Sequence, residues 1–296
     1  MEKQRPQTVD DWIAYVEQRL FGHPLYYGHG TDNAGDEAAW LVTHIASADT
    51  GESIDLDMPV SSSQAETIKT ILTKRIELQT PLAYLLKQAW FAGYPFYVDE
   101  RVLVPRSPIA ELILNSFEPL LTSRPRRILD LCCGSGCIGI AAALQFPESE
   151  VCLADNSAAA LEVTAVNLDR FNLADRVSTC KSDLFDHISG EFDLILSNPP
   201  YVSREEYAEL PAEFHREPEV GLVSENYGLE LPLKILQQSP QYLSDKGILI
   251  LETGYTWPLL EDATAKLYKL WLDFEYGGEG VCAISAADLA SYSNTG

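Results

Sequence analysis

Four consecutive residues, Asn198-Pro199-Pro200-Tyr201, are the part of this chain best suited to chemistry. They follow Phe192-Asp193-Leu194-Ile195-Leu196-Ser197, an apolar run that reads as a buried strand. A strand that ends this way offers one side-chain amide and one rigid carbonyl at the carboxyl edge of a sheet. That pair of acceptors suits a planar NH2 group held by both its hydrogens. Each proline pushes the residue before it towards extended backbone, so Asn198 and Pro199 are both restrained. On these four residues alone, a simple proline-rich turn is an equal reading. The residues upstream decide between the two.

Upstream, Arg127-Ile128-Leu129-Asp130-Leu131 reads as a strand entering Cys132-Cys133-Gly134-Ser135-Gly136, with a helix beyond. Glycines in such a loop let a ligand approach the backbone and free the helix N-terminus to face it. The next strand ends in Ala154-Asp155, about 20 residues on, where a carboxylate can accept both hydroxyls of a ribose. A third acid, Asp183, lies in Lys181-Ser182-Asp183-Leu184-Phe185, placed either to accept from an adenine amino group or to cap a turn. Counted from Cys132, the loop lacks the first and last glycines of a dinucleotide fingerprint, because Cys132 and Cys137 stand there. No cation is positioned for a pyrophosphate, and Asp130 would repel one. An anionic loop instead suits a cationic ligand, such as the sulfonium and ammonium of S-adenosylmethionine.

The elements that must position these residues follow from the hydrophobic pattern. Residues 8–89 read as helical, with stretches at Val9 to Leu20 and Asp36 to Ala46. A third stretch follows a capping box at Ser63-Gln64-Ala65-Glu66, and a short turn runs from Pro81 to Leu86. From Trp90 to Val104 the pattern turns to alternation with aromatics in its first part, and period-two residues on either side of Asp99-Glu100 read as a hairpin. Beyond Arg106, helix and strand patterns alternate as in an open α/β sheet. Strands are expected at 127–131, 151–154, 177–180, 193–197 and 247–252, and helices near 107–120, 137–145, 158–171, 229–242 and 257–268. Leu272 to Tyr276 and Val281 to Ile284, joined by Gly277-Gly278-Glu279-Gly280, read as a closing antiparallel hairpin.

The bulk composition narrows the function classes. The 296 residues are 46% hydrophobic, enough for a large core and a small extra domain. The start of the chain is polar, and no apolar run has the length of a membrane span, so a cytoplasmic protein is expected. The six cysteines lack the spacing of a zinc site and the five histidines are scattered, so no metal is expected. A net charge of −23 disfavours direct nucleic-acid binding and suits a strongly basic protein partner, or plain solubility.

Strand, glycine loop, Asp155, Ser182-Asp183 and NPPY, in this order, resemble class I methyltransferases that act on planar amino nitrogens. Phe96-Tyr97-Val98-Asp99-Glu100-Arg101-Val102-Leu103-Val104-Pro105-Arg106 narrows the resemblance to the HemK/Prm family of protein glutamine methyltransferases. Pro81-Leu82-Ala83-Tyr84-Leu85, Cys132 and Cys137, Glu217-Pro218-Glu219 and Gly277-Gly278-Glu279-Gly280-Val281 add to it. Ser107-Pro108-Ile109-Ala110-Glu111 departs from the form usual in release-factor enzymes. It resembles the branch that modifies a glutamine of the third protein of the large ribosomal subunit.

The resemblance implies a Rossmann-like, mostly parallel sheet that ends in an antiparallel hairpin. Residues 1–89 would form a helical substrate-recognition domain, 90–104 a β-hairpin linker and 105–296 an S-adenosylmethionine-dependent methyltransferase domain. Asp130, Cys132, Cys133, Gly134, Ser135, Gly136, Asp155, Asp183, Leu184 and Asn198 would contact the cofactor. Asn198, Pro199, Pro200 and Tyr201 would bind the substrate, with Asn198, Pro199 and Tyr201 catalytic. Release factors, or an exocyclic amine of a base in RNA or DNA, are alternative substrates. A non-catalytic assembly factor and a nicotinamide-dependent oxidoreductase are the rivals from other classes. The chain departs from the family at Asn156, at Asn226-Tyr227 before Gly228-Leu229, and at Glu252-Thr253-Gly254-Tyr255. None of the three is expected to touch NPPY.

Overall fold

The computed structural model describes residues 6–47 and 55–293, which fall into two compact units. One unit contains the helices α1 (Val9–Phe21), α2 (Ala34–Ser47), α3 (Ser62–Leu78) and α4 (Leu82–Leu86), together with Pro211–Arg216 from much later in the chain. Thr8 starts α1 with a reciprocal capping box: its hydroxyl accepts from Asp11 N, and the Asp11 carboxylate accepts from Thr8 N. The box on α3 differs from expectation, since Ser61 and Gln64 form it rather than Ser63 and Glu66. Both quartets fit the pattern. The backbone bond from Val60 N to Gln7 O holds the incoming chain extended up to Val60, so the first turn begins at Ser61. Val9, Trp12, Val16 and Leu20 line one face of α1 and pack with Leu41, Val42, Ile68 and Leu72.

The core of this unit also holds a cation. Arg75 is 2% exposed, and donates to Glu37 at 2.7 Å, to Glu213 at 2.9 Å and to the Tyr26 carbonyl at 2.8 Å. Glu213 Oε1 accepts in addition from Tyr26 N. Segment 211–216, which the expected boundaries assigned to the second domain, is therefore built into the helical unit.

The second unit begins at Trp90, within β1 (Ala89–Phe91), which pairs with β2 (Tyr94–Phe96) in a ribbon closed at Ala92–Gly93, where both φ angles are positive. The expected hairpin around Asp99-Glu100 is thus displaced. A turn does form there, with Val102 N donating to Asp99 O, but side chains hold it instead of a strand ladder. Arg101 and Tyr97 both donate to the Asp99 carboxylate, and those bonds, Arg101's above all, hold it well below the usual range, at about 2.

Then follow α5 (Ile109–Leu114), β3 (Arg127–Leu131), α6 (Cys137–Gln145), β4 (Glu150–Asp155), α7 (Ala158–Phe171), β5 (Val177–Lys181) and β6 (Phe192–Ser197). After them come α8 (Arg204–Glu209), α9 (Glu219–Leu222), α10 (Glu230–Gln238), β7 (Leu243–Glu252), α11 (Trp257–Ala263), β8 (Leu270–Trp271), β9 (Val281–Ser285) and α12 (Ala286–Ser293). The sheet order is β5-β4-β3-β6-β7-β9-β8, with β9 antiparallel to both neighbours and the other pairings parallel. Alternate residues serve opposite faces: Ile128, Leu194, Leu196 and Ile250 join one core cluster, and Leu129, Leu131, Ile195 and Leu249 the other.

Several elements depart from the pattern reading, among them β7, which begins at Leu243 and not at 247. α5 stops at Leu114, because Ser116 and Phe117 take left-handed backbone. β8 is two residues long and lies upstream of the expected Leu272 to Tyr276, because the Gly277–Gly280 loop turns away to pack on Pro108 and Gly254. α11 ends at Ala263, short of the expected 268. Among the described residues no helix is long and apolar enough to cross a membrane.

Candidate active site

Parallel pairing brings four strand ends to one edge of the sheet. Leu131 lies beside Ala154 and Ser197, and Asp155 beside Lys181. The segments that follow, Cys132–Gly136, Asn156, Ser182–Leu184 and Asn198–Tyr201, therefore emerge side by side. The chain order reverses between β3 and β6, and such a switch point opens a crevice at the carboxyl ends of the strands.

The loop after β3 is shaped by its neighbours. Cys132, Gly134 and Gly136 have positive φ. Gly136 caps α6 without a side chain, and Asp130 takes over that duty: its Oδ2 accepts from Gly139 N at 2.7 Å in the first turn. Asp130 Oδ1 is buried with no partner among the described residues, and burial pushes the carboxyl up to about 7. Asp155 accepts from Gly134 N at 2.9 Å through one oxygen and from Ser157 N at 2.8 Å through the other. Burial raises this carboxyl too, against the backbone amides that bond it.

Two residues on α7 absent from the expected site hold the loop from behind. Thr164 donates to the Gly134 carbonyl, and the buried Asn167 donates to the Ser135 carbonyl while bonding both backbone groups of Tyr97. A polar pair on the buried face of α7 is the signal that would have found them.

Gly139 is a second omission, and it corrects the glycine count. Taken from Gly134, the segment Gly134-Ser135-Gly136-Cys137-Ile138-Gly139 does spell G-x-G-x-x-G. A Cβ at Gly139 would overlap the Leu153 side chain, so the last glycine lets α6 lie close on the sheet. A dinucleotide is disfavoured for another reason. The amides of Cys133, Gly134, Gly136 and Gly139 are all engaged within the protein and cannot cradle a phosphate. An adenosine-bearing cation fits better, since Asp130 Oδ1 lacks a partner and Asp155 offers two fixed oxygens. Beside them, Asp183 is exposed and its carboxylate makes no hydrogen bond among the described residues. Ser182 closes that turn instead, donating to Leu184 O and accepting from His187 N.

Across the edge, Ser197 donates to Leu131 O at 2.8 Å and ties β6 to the loop strand. Asn198 is half-buried, and neither its amide group nor the Pro199 carbonyl is engaged by another group among the described residues. Tyr201 is anchored at three points: Thr256 donates to its carbonyl, Gly228 lies against that carbonyl, and the ring rests on Gly254. Its hydroxyl lies 3.4 Å from Glu252 Oε1. One of the three departures from the family pattern, Glu252-Thr253-Gly254-Tyr255, thus touches NPPY directly, contrary to expectation, and Gly228, the residue after another, does so too. Sequence distance hid the contacts, because 228 returns to the site only after α8 and α9, and 252–256 only through α10 and β7.

Glu252 is buried, accepts from Ser107 at 2.5 Å through Oε2, and burial pushes its carboxyl up to about 7. Arg106, next in chain to Ser107, makes a bidentate pair with the buried Glu217, which also accepts from Val104 N. Because Glu252 has a higher pKa folded than unfolded, its contribution favours the fold below about 4.5 and is lost as pH rises through about 7. Glu252→Gln is therefore expected to gain stability over the parent between pH 5 and 8, by on the order of 3 kcal/mol. Urea midpoints at the two pH values measure it, and a pH-independent difference would refute the assignment.

The sheet order, the antiparallel β9 and a glycine loop facing Asn-Pro-Pro-Tyr define a class I methyltransferase. The methyltransferase small domain family matches residues 109–218. The chain is 39% identical to the ribosomal protein uL3 glutamine methyltransferase of Francisella tularensis subsp. tularensis, over 97% of this chain and 93% of that protein. It is 42% identical to the protein of the same name from Xanthomonas campestris pv. campestris, over 97% of this chain and 94% of that one. Among solved structures, the catalytic domain of hMettl16 in complex with MAT2A 3'UTR hairpin 6 shares the fold. Its TM-score is 0.53 at 15% identity, over 83% of this chain and 90% of that one. The chain belongs to the ribosomal protein uL3 glutamine methyltransferase family.

Proposed function

We propose that this enzyme transfers a methyl group from S-adenosylmethionine to the side-chain amide nitrogen of a glutamine in ribosomal protein uL3. The observation that carries the reading is the pair of unengaged acceptors, Asn198 Oδ1 and the Pro199 carbonyl, beside the Cys132–Gly136 loop. The relatives named above support uL3 as the substrate, and a net charge of −23 suits a basic ribosomal protein. The reaction belongs to the cytoplasm, in keeping with six free cysteines.

A primary amide nitrogen is a poor nucleophile, because its lone pair is delocalised into the carbonyl. Asn198 Oδ1 and the Pro199 carbonyl each accept one N–H of the glutamine amide. Held by both hydrogens, the nitrogen is fixed and its lone pair is turned out of conjugation. Positioning of this kind lowers a barrier by up to about 7–11 kcal/mol. Positive charge develops on nitrogen as the N–C bond forms, and the two carbonyl dipoles stabilise it. One N–H proton leaves to water afterwards, so no strong general base is needed. The Tyr201 ring, backed by Gly254, supplies a flat surface for the amide. S-adenosylmethionine supplies the electrophilic methyl on a sulfonium. Asp155 holds the ribose hydroxyls, Asp130 answers the cationic end, and Asp183 with Leu184 bounds the adenine.

Asp155→Ala is expected to raise the cofactor dissociation constant by about 10–100-fold, through loss of two charge-assisted hydrogen bonds. Calorimetric titration with S-adenosylmethionine measures it, and a change below threefold would exclude Asp155 from the ribose site. The reading as a whole is tested with labelled S-adenosylmethionine and three purified substrates: uL3, a release factor and ribosomal RNA. Label on a uL3 glutamine alone is expected. Label on the release factor or the RNA alone overturns the substrate.

A further inference from the structure

Two loops that meet at Tyr201 each carry a tyrosine turned to solvent. Gly228 approaches the Tyr201 carbonyl so closely that a Cβ there would overlap its oxygen. A Cβ on Gly254 would lie 2.6 Å from the Tyr201 ring. The residues next to these glycines are Tyr227 and Tyr255, which are 71% and 84% exposed. Tyr227 is held, with Asn226 before it, in left-handed backbone at φ 57° and 54°. An aromatic residue adopts that conformation at a cost, and here the cost goes with an unburied ring. Neither the cofactor edge nor the core accounts for the two rings.

We infer that Tyr227 and Tyr255 form an aromatic clamp that grips the extended, basic polypeptide segment around the target glutamine. The inference rests on the glutamine-methylation reading and adds the surface that recognises the substrate backbone and its flanking cations. Tyrosine rings supply a large contact area with few rotatable bonds. Their faces attract Lys and Arg side chains, which the net charge of −23 draws towards the protein. Each ring is one residue from an atom group that touches Tyr201, and the two come from different segments. In the proposed complex, the chain presenting a glutamine to Asn198 passes between them. The neighbouring carboxylates Glu219 and Glu225 are paired with Arg204, so the rings rather than those acids are free for the partner.

Tyr268 provides an internal control. It is 69% exposed, and the register of β8 against β9 puts it towards Ser285, at the opposite edge of the sheet from Glu252. Steady-state methylation of purified uL3 distinguishes the outcomes. The double variant Tyr227→Ala/Tyr255→Ala is expected to raise KM for uL3 by tenfold or more. Its kcat should stay within about threefold and its S-adenosylmethionine affinity should be unchanged. Tyr227→Phe/Tyr255→Phe should restore KM, since the faces and not the hydroxyls do the gripping, and Tyr268→Ala should match the parent. An unchanged KM in the double alanine variant, or failure of phenylalanine to rescue, overturns the clamp. If the parent enzyme itself leaves uL3 unlabelled, the glutamine reading falls first and the clamp with it.

Discussion

Asn198→Ala is expected to lower the methyl-transfer rate by about 10²–10³-fold, the usual consequence of removing one preorganised dipole from a reacting centre. The affinity for S-adenosylmethionine should change by no more than a few-fold. This split separates two jobs that share one sheet edge. Asp155 and the Cys132–Gly136 loop lie at the ends of β3 and β4, and Asn198 at the end of β6. Its amide has no partner among the described residues, so its removal leaves no other group unsatisfied and the fold should be unaffected. Single-turnover rates with uL3, alongside calorimetry with the cofactor, make the comparison. Retention of the rate within threefold would remove the acceptor pair from the mechanism. A large loss of cofactor affinity would mean that Asn198 serves chiefly to hold the cofactor.

The second large effect lies away from the chemistry. Arg75→Ala leaves the carboxylates of Glu37 and Glu213 buried without their cation and the Tyr26 carbonyl without its donor. Breaking a buried pair from one side costs about 3–5 kcal/mol, because the remaining charges stay desolvated. The loss should fall on the helical unit, and segment 211–216 should loosen with it, since Glu213 is the residue that Arg75 holds in that segment. Native-state hydrogen exchange reads both, through the amides of α1 to α3 and that of Tyr26, which donates to Glu213. Loss below about 1 kcal/mol would mean that water replaces the guanidinium and that the cluster contributes little to stability.

The pattern of apolar residues was sufficient for most of the sheet. β3, β4, β5 and β6 fall within one residue of expectation: β3 and β6 are short apolar runs buried on most positions, and β4 and β5, though partly exposed, keep the apolar and β-branched residues of a strand. The elements that moved are those whose ends are set by contacts distant in sequence. The ribbon closes at Ala92–Gly93 instead of Asp99-Glu100, since period-two residues flank both turns and only pairing chooses between them. β8 shrank because Gly278 and Gly280 pack on Pro108 and Gly254, contacts that no local pattern announces. Segment 211–216 joined the helical unit through an arginine 138 positions before its partner.

The same division holds for the site. Residue type and order along the chain picked out the Cys132–Gly136 loop, the acids at positions 130, 155 and 183, and NPPY as the candidate site, because each is short and sits at or just after a strand end. Parallel pairing then brings strand ends together whatever the loops do. Only the tertiary structure decided what lies behind them: Thr164 and Asn167 under the loop, Gly139 against Leu153, and Glu252 between Ser107 and Tyr201. It also brought Gly228 and Gly254, and with them Tyr227 and Tyr255, to the side of Tyr201. Such contacts join residues tens of positions apart on different elements. Their formation depends on packing that local propensity does not encode.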